Sequence, residues 1–114
     1  MTITNITDQE RLRVWRRRKG WSQERAARHF KVTPQKYFRW EHGQDGALPS
    51  INLSKLKAHE VCFLMRKRVG LRQEALAKAL KVCRWWLNQM ERGLVPNNEL
   101  INYWSQRNGH APKR

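Results

Sequence analysis

The sequence predicts an all-α protein built from two copies of one three-helix unit. Three observations predict it. Shifted by fifty positions, residues 10–43 fall on residues 60–93 without a gap, and eleven of the 34 aligned pairs are identical: Glu10/Glu60, Arg16/Arg66, Arg18/Arg68, Gly20/Gly70, Gln23/Gln73, Glu24/Glu74, Ala27/Ala77, Lys31/Lys81, Val32/Val82, Glu41/Glu91 and Gly43/Gly93. Apolar residues recur at helical spacing in both copies and agree in kind where they differ in identity, as at Trp15/Met65, Tyr37/Leu87 and Trp40/Met90. Helix stops also repeat, and no run of alternating polar and apolar residues marks a strand.

Each helix has a local reason. Thr7-Asp8-Gln9-Glu10 has the form of a capping box, opening a helix that turns Leu12 and Trp15 inward and stops at Gly20. Ser22 caps a second helix whose inner side is Ala26, Ala27 and Phe30. After the turn Lys31-Val32-Thr33, Thr33 caps a third helix with Pro34 at its first position, where proline loses no hydrogen bond. That helix shows Tyr37 and Trp40 to the core and ends at Gly43. Residues 43–49 read as a linker. A helix is then expected from Ser50 or Ser54 through Arg68, fusing a connecting segment to the second copy. Pro96-Asn97 opens a last helix with Leu100, Ile101 and Trp104 on one side, and the tail from Gly109 is expected to fray. Two domains follow, 1–49 and 50–114.

Charge sets the class of partner. Lys and Arg number 24 against nine Asp and Glu, for a net charge of +15. Neutralising phosphates with release of counterions rewards that imbalance, so a polyanion is the expected partner. No segment reaches the roughly 18 consecutive apolar residues of a membrane span, and no signal peptide opens the chain. Cys62 falls on an apolar stripe as a buried free thiol, and the four histidines form no zinc spacing with the cysteines. No catalytic triad, carboxylate pair or phosphate loop stands out, so neither an enzyme nor a cofactor is expected. A reducing, cytoplasmic setting suits the thiols.

With these residues laid out, both copies resemble the helix-turn-helix of the Cro and phage-repressor (XRE-type) family. The resemblance lies in Trp15-Arg16, Gly20-Trp21-Ser22-Gln23-Glu24, Ala26-Ala27 and Trp40-Glu41-His42-Gly43. It recurs in Met65-Arg66, Gly70-Leu71-Arg72-Gln73-Glu74, Leu76-Ala77 and Met90-Glu91-Arg92-Gly93. It implies tandem lambda-repressor-like helix-turn-helix units. Two departures stand out: Lys31 and Lys81 occupy a turn position that favours Gly, and Arg72 replaces the capping Ser.

The resemblance also implies roles. In this fold the third helix enters the major groove and the second crosses the backbone. Base contacts then fall to Gln35, Lys36 and Arg39 in the first copy, and to Arg84, Trp85, Asn88 and Gln89 in the second. Gln23 and Gln73 resemble the family's phosphate-binding glutamine; Arg17, Arg18 and Lys19 are further phosphate candidates, although cations are favourable at a helix C-terminus without any ligand. Arg16 with Glu41, and Arg66 with Glu91, resemble the family's internal ion pairs. Trp85-Trp86 fits groove reading poorly: one ring is expected to pack inward, the other to meet the linker, a second protomer or a thymine methyl.

The function expected is sequence-specific recognition of double-stranded DNA by a transcriptional regulator, foremost a repressor of phage or plasmid type with autoregulation. One chain either reads DNA with both units as a monomer or forms a homodimer through the second. The rivals are an antitoxin-like or protein-partner adaptor, and a nonspecific or RNA-binding protein.

Overall fold

The structure, a computed structural model, describes residues 5–44, 48–49, 51–53 and 55–107, which form seven helices and no strand. In order they are α1 (Asp8–Lys19), α2 (Gln23–His29), α3 (Pro34–Glu41), α4 (Ala58–Val69), α5 (Gln73–Leu80), α6 (Arg84–Glu91) and α7 (Asn98–Arg107). The chain divides between Lys55 and Leu56 into two compact units. Among the described residues, no helix is long and apolar enough to cross a membrane.

The first unit is stitched together at its helix ends. The Thr7 hydroxyl accepts from the Glu10 amide at 3.2 Å, and Glu10 returns the favour by accepting from the Thr7 amide at 3.0 Å. This capping box satisfies two of the amides that a helix start leaves unpaired. Ser22 caps α2 through the Arg25 amide, and Thr33 caps α3 through the Lys36 amide, both at 3.2 Å. Between α2 and α3 the chain reverses at Lys31, whose φ of 58° is left-handed. A lysine there costs roughly 1 kcal/mol relative to glycine, small enough for the surrounding packing to absorb. The core is Leu12, Ala26, Ala27, Tyr37 and Trp40, with Trp15, Trp21, Phe30, Leu48 and Ile51 packed half-buried against it. Two consecutive alanines bring α2 close to its neighbours, and rings fill the remaining space: Phe30 lies 5.2 Å from Trp15 and 5.7 Å from Trp40 between centroids.

The second unit repeats these boundaries with aliphatic residues in place of rings. Cys62, Met65, Leu76, Ala77, Leu87 and Met90 form its inner faces, and Lys81 turns the chain at φ 57°. It has one element more. α7 lays Leu100, Tyr103 and Trp104 on the same core, with Leu100 and Trp104 wholly buried and Ile101 partly so. The tail from Gly109 lies outside the described residues.

Two expectations are corrected. The helix foreseen from Ser50 or Ser54 does not exist as such: residues 51–53 and 55–57 are non-helical, and α4 starts at Ala58. The Lys57 amide donates to the Glu60 carboxylate at 2.8 Å, half of a capping box at the same register as Thr7 and Glu10. The helix therefore begins where its own N-terminal glutamate dictates. Ser50 and Ser54 themselves lie outside the described residues. Nor does either ring of Trp85-Trp86 pack inward; they are 63% and 37% exposed. Leu87, Met90 and Glu91 already occupy the buried stripe of α6, and the two rings fall off it.

Candidate nucleic-acid interface

α3 is held by an ion pair that fixes which of its faces meets solvent. Arg16 on α1 donates from Nε to Glu41 Oε2 at 2.6 Å and from its terminal nitrogen to Oε1 at 3.0 Å, a bidentate pair. A further Arg16 nitrogen donates to the Trp21 carbonyl at 3.0 Å, tying the start of α2 to the same guanidinium. Arg13 adds a bond to the Glu41 carbonyl at 2.7 Å. Burial alone would raise the Glu41 carboxyl's pKa, but the bonds from Arg16 and Gln23 and the Arg16 charge hold it below its ordinary value. In the second unit, Arg66 meets Glu91 at 2.6 and 3.1 Å and the Leu71 carbonyl at 3.0 Å. The carboxylate is 1% exposed in both units, while the arginine side chain is 20% exposed at Arg16 and 7% at Arg66.

With Tyr37, Trp40 and Glu41 turned inward, α3 presents Gln35, Lys36, Phe38 and Arg39 outward, all exposed. Gln35 and Arg39 lie one helical turn apart and share a wall. Together with Gln23, Glu24, Pro34 and Phe38 they line an open depression of about 390 Å³ between the starts of α2 and α3. Lys36 points elsewhere, its ammonium 5.9 Å from the Trp40 ring centroid. The Gln23 amide nitrogen donates to Glu41 at 3.1 Å, so part of its donor capacity serves the scaffold. Arg17, half-buried, and the exposed Arg18 and Lys19 close α1, outside this depression. Arg18 donates to the Lys55 carbonyl at 3.1 Å, and the Lys19 ammonium lies 5.6 Å from the Trp21 ring centroid. Phe38 and Glu24 were not singled out from the sequence. Both sit off the buried stripe, and the 38–42 spacing that stacks Phe38 on His42, at 3.9 Å between centroids, was the available signal.

The equivalent surface of the second unit is built differently. The Gln73 amide nitrogen donates to both Asn88, at 3.3 Å, and Glu91, at 3.1 Å, so Asn88 is drawn toward the scaffold. Arg84 reaches back to Gln73 at 3.5 Å and Glu74 at 3.4 Å. Gln73 and Arg84 join Arg66, Lys67, Arg72 and Glu74 around a depression of about 290 Å³ with four cationic side chains in its lining. Arg72 and Lys67 are additions to the sequence reading. Arg72 makes no side-chain cap to α5, leaving its guanidinium for this rim. Trp85 and Gln89 do not line it; Trp85 stands exposed and Gln89 half-buried one turn on.

Among the described residues no cluster of histidine, cysteine and carboxylate side chains could hold a metal ion. Burial pushes the Cys62 thiol up to about 12, which keeps it protonated and unreactive, while Cys83 is exposed. The first depression is thus lined by two amides, an aromatic ring, one arginine and one glutamate, and the second mainly by cations. No protein-family model, no curated protein and no solved structure matches the chain.

Proposed function

We propose that the chain is a sequence-specific double-stranded DNA-binding regulator of transcription, acting in the cytoplasm as a repressor through two tandem helix-turn-helix units. It is a binding protein and not a catalyst. The observation that carries this reading is the outer face of α3: Gln35 and Arg39 stand exposed one turn apart, on a helix whose opposite side is locked by Tyr37, Trp40 and the Arg16–Glu41 pair. A glutamine amide matches the paired donor and acceptor of an adenine edge, and a guanidinium matches the two acceptors of guanine. Rigid support behind those side chains lets base identity, and not side-chain rearrangement, set the affinity. The depression shared with Gln23 puts the reading residues beside the start of α2, the place where a phosphate would meet helix-end amides. The net charge of +15 supplies attraction that does not depend on sequence.

The test is selection of bound sequences from a random duplex library, followed by Arg39→Ala on the winner. Wild type enriches a defined site. Arg39→Ala loses about 1–3 kcal/mol on that site and relaxes preference at one base position. A uniform loss on all duplexes reassigns Arg39 to phosphate, and a library that enriches nothing ends the specific reading.

A further inference from the structure

The second unit departs from the first at two exposed positions near the start of its third helix. Where α3 has Gln35 and Lys36, α6 has Trp85 and Trp86. Trp85 lies on the side of α6 opposite Leu87, Met90 and Glu91, so its ring projects away from the core. The two ring centroids are 6.1 Å apart with planes inclined by 44°, too far and too tilted to cover each other face to face. Large apolar surface left open in this way marks a binding site.

Charge decides what covers it. Arg84, the residue before the pair, lines the depression with Lys67, Arg72 and Arg66; Arg66 is paired to Glu91 and Glu74 lies 3.4 Å from Arg84, yet Lys67 and Arg72 leave the balance positive. Lys81 and Arg92 are exposed at the two ends of the helix. A second copy of this chain brings its own +15 to the same surface and is repelled. A nucleic acid strand is attracted. In a paired duplex, however, base faces are stacked and out of reach of an indole, whereas an unpaired strand offers both a backbone for the cations and base faces for the rings.

We propose that the second unit holds an unpaired DNA strand, stacking bases on Trp85 and Trp86 while Arg84, Arg72 and Lys67 take the adjoining phosphates. On this inference the first unit alone reads the duplex, and the second keeps the same helix-turn-helix frame but grips a locally opened strand instead of a second duplex turn. The choice of DNA over RNA rests on the duplex reading proposed above; the stacking does not.

Fluorescence anisotropy with a labelled twelve-nucleotide oligo-dT at fixed salt tests this, using the full chain. Trp85→Ala is expected to weaken oligo-dT binding about 5- to 150-fold, the loss of one stacked base, while Trp85→Phe keeps binding within about threefold of wild type. Circular dichroism of each variant checks that the helices persist, which an exposed position should allow. Equal binding of oligo-dT by wild type and Trp85→Ala overturns the proposal, as does a wild-type self-association in sedimentation that Trp85→Ala abolishes. Tighter binding of oligo-U than of oligo-dT overturns the assignment to DNA. A Trp85 effect on oligo-dT with no enriched duplex sinks the duplex reading alone; an enriched duplex with no Trp85 effect sinks this one alone.

Discussion

Glu91→Ala is expected to destabilise the second unit by about 3–5 kcal/mol, because it leaves the Arg66 guanidinium buried without its counter-charge. The side chain of Arg66 is only 7% exposed, on the floor of a depression too cationic to replace its counter-charge. The Gln73 amide loses an acceptor in the same step. Against the 5–15 kcal/mol typical of a whole domain, such a loss leaves little. Glu41→Ala in the first unit is expected to cost less, about 1.5–3 kcal/mol, since Arg16 is 20% exposed and can rehydrate. Urea unfolding of the two variants checks the order. The double replacement Arg66→Met with Glu91→Leu should recover most of the loss, because matched apolar groups avoid the stranded charge. Glu41 also carries a pH window. Its folded carboxyl titrates below the ordinary 4.5, so its stabilisation is complete above that value and fades as pH falls through the lowered one.

Trp104→Ala is expected to cost about 3–5 kcal/mol by emptying the largest wholly buried side chain in the protein's described part. Trp104 sits on α7, packed in one core with Cys62, Leu76, Leu87 and Leu100. Among the described residues no such helix completes the first unit, where Leu48 and Ile51 pack against the core instead. If α7 is integral, amide exchange in Trp104→Ala speeds up through α4, α5 and α6 as well as α7. Faster exchange confined to α7 would make that helix an appendage.

Much of this architecture was written in short-range chemistry. Thr7 and Glu10, Ser22, and Thr33 with Pro34 each act within one helical turn, so their effect can be seen in a few consecutive letters. The missed start of α4 was legible by the same logic: Glu60 repeats Glu10, and a helix that needs its glutamate in the first turn begins near Ala58. Ser50 and Ser54 upstream suggested an earlier start, but Ile51 packs on the first core. The candidate interface was legible only on its outer side. That Gln35 and Arg39 stand outward follows from helical period alone. That the Gln73 amide spans Asn88 and Glu91 does not, because partners 15 and 18 residues away meet only after α5 and α6 have packed. The tryptophan pair misled for a related reason. Composition favours burying such rings, yet α6 has a single inward stripe and Leu87 and Met90 already fill it.

On the proposed reading, the outward face of α3 docks on duplex DNA. Titrating the isotope-labelled chain with its selected duplex and following backbone and side-chain resonances tests it directly. Saturable shifts centred on Gln35, Lys36, Phe38 and Arg39 are expected, with Tyr37 and Trp40 little changed. Shifts spread evenly over the basic residues, with α3 no more affected than the rest, would contradict it.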